Sequence, residues 1–152
     1  MSEIPTTPCK DPADTIMAAI AHGMTGNRET GLKLLEPFIL GGPVKTVSMC
    51  AALASMIALN ADRQNPGHRG TFGFVPIHHG VPTDTSAMPP GWRFAAQFST
   101  AVLNGQHQTA YALFDALVSK ERDEDAMNLA LGIRALYDMA VGSAQQLRGG
   151  TR

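Results

Sequence analysis

The sequence lacks the features that mark several common functional classes. It has only two cysteines, Cys9 and Cys50, and their spacing fits neither a disulfide framework nor a zinc or redox motif. It has no run of lysines or arginines and a formal net charge of −1, which disfavours a nucleic-acid-binding surface. It shows no secretory signal pattern and no apolar run as long as a membrane span. We therefore expect a cytoplasmic protein with free thiols and without nucleic-acid or membrane partners.

Catalytic signatures are missing as well. Ser99 and Thr100 lie in no Gly-x-Ser-x-Gly elbow, and no acid and histidine are paired with them in the sequence. Gly67, Gly70 and Gly73 are not followed by the Lys-Ser/Thr pair of a phosphate-binding loop. We expect no cofactor, and an enzyme is the less favoured interpretation.

Apolar residues at helical spacing dominate most of the chain. Asp11 and Pro12 have the types expected of an N-cap and a first helical residue, and the stripe from Ala126 to Ala140 predicts a long last helix. The periodicity predicts an all-α single domain, an irregular bundle of about six helices in two three-helix units joined by a long, partly ordered loop. The predicted segments are a flexible arm at 1–10, a first unit at 11–62, a Pro/Gly/His-rich loop at 63–90, a second unit at 91–147 and a flexible tail at 148–152.

The two predicted units share residues at a constant offset, which suggests an internal repeat. Gly26, Thr30 and Leu34 recur with the same spacing as Gly105, Thr109 and Leu113. With a one-residue gap in the following loop, the match extends, so that Met49, Leu53 and Met56 meet Leu129, Ile133 and Leu136. The alternative is that two unrelated amphipathic hairpins align by chance, because such hairpins share apolar spacing.

Small residues and methionines are frequent within the helical segments. Ala51, Ala52 and Ser55 on the third helix predict close packing against another helix. The eight methionines, Met17 and Met127 among them, are predicted to fill the core, although Met-rich surfaces also adapt to protein partners.

The segment 63–90 and the tryptophan that follows it are the first place to expect a ligand site, because long loops in compact domains are often functional. Adjacent histidines on an extended chain point to opposite sides and form no metal-binding pattern, so no metal site is predicted. In the alternative interpretation the phenylalanines only pack the loop onto the helices. The candidate ligand-binding residues are His68, Phe72, Phe74, His78, His79 and Trp92.

Two functional hypotheses follow. The first is a non-enzymatic helical protein–protein interaction or scaffolding protein, with self-association into a homo-oligomer as one form of it. The second is a small-molecule- or metal-binding protein or enzyme whose site lies between the helical bundle and the loop from His68 to His79.

Overall fold

The computed structural model describes residues 3–66, 77–78, 81–82, 88–118 and 123–149, and these form six α-helices and one two-residue antiparallel strand pair. The predicted all-α class with six helices is confirmed. The predicted loop at 63–90 corresponds to the connection between the third and fourth helices. The helices are α1 (Pro12–Met24), α2 (Arg28–Leu40), α3 (Pro43–Gln64), α4 (Pro90–Leu103), α5 (His107–Val118) and α6 (Asp123–Gly149), and the strands are β1 (Ile77–His78) and β2 (Val81–Pro82).

Local chemistry explains most helix ends. Asp11 caps α1 as predicted, because its side chain accepts a hydrogen bond from the Ala13 N–H. Pro37 lies inside α2 without ending it, since the helix continues to Leu40. It lies exposed in the last turn, where its missing N–H removes a single intrahelical hydrogen bond. Helix α6 reaches Gly149, which lies within the predicted tail.

The turn between α1 and α2 has the same geometry as the turn between α4 and α5. Gly26 and Gly105 adopt positive φ values of 86° and 72°, a conformation that glycine takes without steric strain. In each turn the residue after the glycine donates its N–H to a carbonyl in the last turn of the preceding helix. These bonds join Asn27 to His22 at 2.8 Å and Gln106 to Ala101 at 2.7 Å.

Tyr137 joins the α1–α2 hairpin to α6. Its side chain is fully buried, and its hydroxyl donates a 2.7 Å hydrogen bond to the Ala19 carbonyl on α1. Gly31 on α2 permits this approach, because a Cβ atom there would overlap the Tyr137 hydroxyl. At the surface Arg28 binds both carboxylate oxygens of Asp138 at 2.6 and 2.8 Å. That pair is more than a third exposed, so the buried tyrosine is the stronger link between the α1–α2 hairpin and α6.

Burial, reinforced by the Asp138 carboxylate, raises the pKa of the Tyr137 phenol. The hydroxyl therefore remains protonated and available as a donor over a wide pH range. Arg28 is affected in the same direction: its hydrogen bond to Asp138 raises the pKa of the guanidinium.

The chain before α1 folds back along that helix. His22 on α1 is buried, and its Nε2 donates a 2.8 Å hydrogen bond to the Pro5 carbonyl. Nearer the start of α1, the Thr15 hydroxyl accepts a 2.8 Å bond from the Cys9 N–H. We call residues 3–11 the arm.

We predict that Gly31→Ala lowers the free energy of unfolding by about 2 kcal/mol or more, because the new methyl group forces the Tyr137 hydroxyl away from Ala19. Gly142→Ala on α6 is the matched control, because a Cβ there meets nothing within 4 Å. Higher helix propensity should make that variant more stable by about 0.5–1 kcal/mol. Urea unfolding followed by circular dichroism measures both, and equal effects would contradict the role given to Tyr137.

Candidate functional site

Most of the sequence-predicted ligand residues lie outside the described part of the chain. His68, Phe72, Phe74 and His79 are among them, and their role stays a prediction. The backbone of His78 lies in β1, paired with Val81. Trp92 lies in the first turn of α4, and 44% of its surface is exposed.

The outward side of α3 forms a stripe of small and apolar residues. We call this stripe the outer stripe. Its five residues are three or four positions apart in the chain, so they lie along one face of the helix, over roughly 22 Å at the ordinary rise per residue. No charged residue occurs in the chain between Lys45 and Asp62. The outer stripe consists of Val44, Ser48, Ala52, Ser55 and Leu59, of which Val44 is 77% and Leu59 44% exposed.

The two serines of the outer stripe leave no hydroxyl donor without a hydrogen bond. The Ser48 hydroxyl donates to the Val44 carbonyl, and the Ser55 hydroxyl donates to the Ala51 carbonyl, each at 2.8 Å. Serine hydroxyls that bond back to the preceding helical turn have already used their only donor. Covering this face therefore desolvates fewer free polar groups than its sequence suggests.

Two grooves lie beside the outer stripe. One, the α1–α3 groove, has a volume of about 240 Å³. The other, the arm groove, lies between the arm, the end of α2 and the start of α3, with a volume of about 390 Å³. The α1–α3 groove is lined by Ile16, Met17, Ala52, Ser55, Met56 and Leu59 among others, and the arm groove by Pro8, Cys9, Pro37, Phe38, Val44 and Lys45 among others.

The α1–α3 groove is open because α1 packs mainly on α2 and α6 and only lightly on α3. In the second unit the corresponding helices, α4 and α6, cross closely. A Cβ atom at Gly91 would stand 2.6 Å from the Leu131 Cβ and 3.0 Å from the Gly132 nitrogen. In the alignment of the two units, the first has Pro12 and Ala52 in place of these glycines, and each lines one of the two grooves. Both residues carry a Cβ atom where the second unit has none, and α1 packs only lightly on α3.

Two expectations from the sequence hold only in part. Ala51 and Ala52 pack against the core as expected, but Ala52 also lines the α1–α3 groove together with the exposed Ser55. Met17 and Met127 were expected in the core and are 51% and 65% exposed, whereas Met49 is buried as predicted. Helical spacing identifies which residues share a face, but not which of two apolar faces is covered.

The expectation that no apolar run is as long as a membrane span is wrong for α3, which has the length and composition of one. It has 22 residues and a mean hydropathy of 1.5 over its most apolar window, 39% of which is buried in the bundle. Its inward face carries Met49, Leu53 and Ile57 into the core. A core helix with an uncharged outer face has the same composition as a membrane span.

The described residues offer little for catalysis. They contain no group of three histidine, cysteine or acidic side chains placed to hold a metal ion. The Thr100 hydroxyl donates to the Ala96 carbonyl, and Ser99 is fully buried. Burial raises the pKa of the Cys50 thiol to about 12, so this cysteine is not a nucleophile near neutral pH.

No protein-family model, curated protein or solved structure matches the chain. The function must therefore be inferred from the geometry and chemistry of the helical surfaces.

We predict that a thiol-alkylating reagent modifies Cys9 alone in the native protein. Cys9 is partly exposed, whereas Cys50 is buried and remains protonated. Burial raises the Cys50 pKa from 9.0 to about 12. The contribution of the neutral thiol to the free energy of unfolding is therefore fully present below pH 9 and is lost as the pH rises towards 12. Peptide mass spectrometry should find Cys50 modified only in denaturant or at strongly alkaline pH. Modification of both thiols at equal rates at pH 8 would contradict the buried position of Cys50.

Proposed function

We propose that the protein is a non-enzymatic helical interaction protein, and that it associates with a second copy of itself through the α1–α3 groove and the outer stripe. The observation that carries this proposal is the composition of the exposed face. On this face the exposed apolar residues Met17, Leu59 and Val44 lie beside small residues, and α3 carries no charged residue between Lys45 and Asp62. Exposed apolar surfaces of this kind mark interaction sites more often than isolated exposed side chains do.

The lack of charge favours a second copy as the partner. In a symmetric dimer the same patch occurs on both subunits, so a charged patch would place like charges opposite each other. The outer stripe avoids this repulsion. Its alternation of small and large residues also suits self-packing, because a side chain such as Leu59 fits beside Ala52 or Ser55 of the other copy.

We predict a concentration-dependent mass in light scattering, and we predict that Leu59→Glu weakens self-association by roughly a hundredfold or more, because the interface would bury an unpaired carboxylate. Leu131→Glu on α6 is the matched control, because Leu59 and Leu131 are both 44% exposed. Circular dichroism should show that both variants remain folded.

Three outcomes would reject this proposal. The first is a wild type that remains monomeric at high micromolar concentration. The second is dissociation of the oligomer by Leu131→Glu instead of Leu59→Glu. The third is a protein that binds lipid vesicles through α3 and is monomeric without them. The last result would assign the uncharged face of α3 to a membrane surface.

The matching turns support the hypothesis of an internal repeat. Two hairpins with the same positive-φ glycine and the same hydrogen bond, at aligned positions of the two units, are expected if one hairpin was duplicated. The glycine crossing in the second unit and the groove in the first would then be the main divergence between the copies.

A further inference from the structure

We propose that the arm groove binds a small apolar anion, a molecule with an aliphatic body and a carboxylate end. This site adjoins the surface proposed for self-association, with which it shares Val44 and Ser48, and none of the described residues that line it belongs to the segment 63–90. It lies between the arm, the end of α2 and the start of α3, and its volume of about 390 Å³ falls within the range of small-molecule sites, roughly 300–1,000 Å³.

The walls of the groove suit an aliphatic body. They are formed largely by Pro8, Pro12, Pro37, Phe38 and Val44. Proline rings have almost no rotamer freedom to lose, so three of these walls need not be ordered when a ligand enters. Burial of an aliphatic chain against them is favourable by the hydrophobic effect alone.

The hydroxyl groups in the groove are already bonded to the backbone. Thr15 accepts from the Cys9 N–H at 2.8 Å and donates to the Cys9 carbonyl at 3.3 Å. Ser48 donates to the Val44 carbonyl. Neither hydroxyl has a donor left for a polar ligand, so these groups do not favour a sugar or another polyhydroxylated molecule.

Among the described residues that line the groove, Lys45 is the one that carries a charge. Its aliphatic stem lies over Gly41, where a Cβ atom would stand 2.6 Å from the lysine Cδ. Among the described residues, no carboxylate lies within ion-pair distance of its ammonium group. A cation held at the edge of an apolar groove complements a ligand with an aliphatic body and an anionic end.

Decanoate, used below its micelle-forming concentration, is the probe that tests this site. Decanol and decyltrimethylammonium have the same chain with a neutral and a cationic end. Cys9 lines the groove, and Cys50 is buried, so the rate of iodoacetamide modification of the native protein reports whether the groove is occupied. We expect decanoate to slow Cys9 modification several-fold, decanol to slow it less, and the cation to have no effect.

Lys45→Gln should weaken decanoate binding roughly three- to fivefold and leave decanol binding unchanged, as expected for one solvent-accessible charge pair. Lys33→Gln is the matched control, because Lys33 is an exposed lysine on α2 that does not line the groove. Because the groove shares Val44 and Ser48 with the outer stripe, decanoate binding is compared at protein concentrations at which light scattering gives a monomeric mass. There Lys45→Gln should weaken decanoate binding, and Leu59→Glu should leave it unchanged.

The proposal is overturned if none of the three probes slows Cys9 modification, if all three slow it equally, or if protection appears only above the micelle-forming concentration. It is also overturned if Lys45→Gln binds decanoate as tightly as Lys33→Gln does. Each of these results would show that the groove does not recognise an apolar anion through Lys45.

Discussion

The hydrogen bond from the buried Tyr137 hydroxyl to the Ala19 carbonyl determines where the first hairpin lies. It draws α1 towards α6, and Gly31 makes the approach possible because it places no side chain in the path of the phenol. Because α1 is held by α6 and α2, its contact with α3 is light. The exposed surfaces proposed as functional sites follow from this arrangement.

The two predicted helical units pack their helices differently. In the second, Gly91 and Gly132 let α4 and α6 cross at short distance and close the surface between them. In the first, the aligned positions are Pro12 and Ala52, α1 packs only lightly on α3, and the uncharged outer side of α3 remains open. The hydrophobic effect disfavours leaving such a face in water, which is the physical reason to expect a partner on it.

The sequence predicts the helices well because their signals are local. Asp11 and Pro12 begin α1, and the apolar spacing around Ile133 identifies α6. The groove could not be predicted in this way. Met17 has the type and spacing of a core residue, and its exposure goes with the light packing of α1 on α3, which the local pattern does not encode. The burial of His22 has no local signal either, because its partner is a backbone carbonyl of the arm.

Peroxide oxidation of methionine tests the central claim without any mutation. Met17 lies in the α1–α3 groove and Met127 on α6, and both are more than half exposed. If two copies cover the groove, sulfoxide formation at Met17, measured by peptide mass spectrometry, should slow several-fold as the protein concentration rises, while Met127 oxidises at a constant rate. Oxidation of Met17 that is independent of concentration, or equal slowing at Met17 and Met127, would contradict the account.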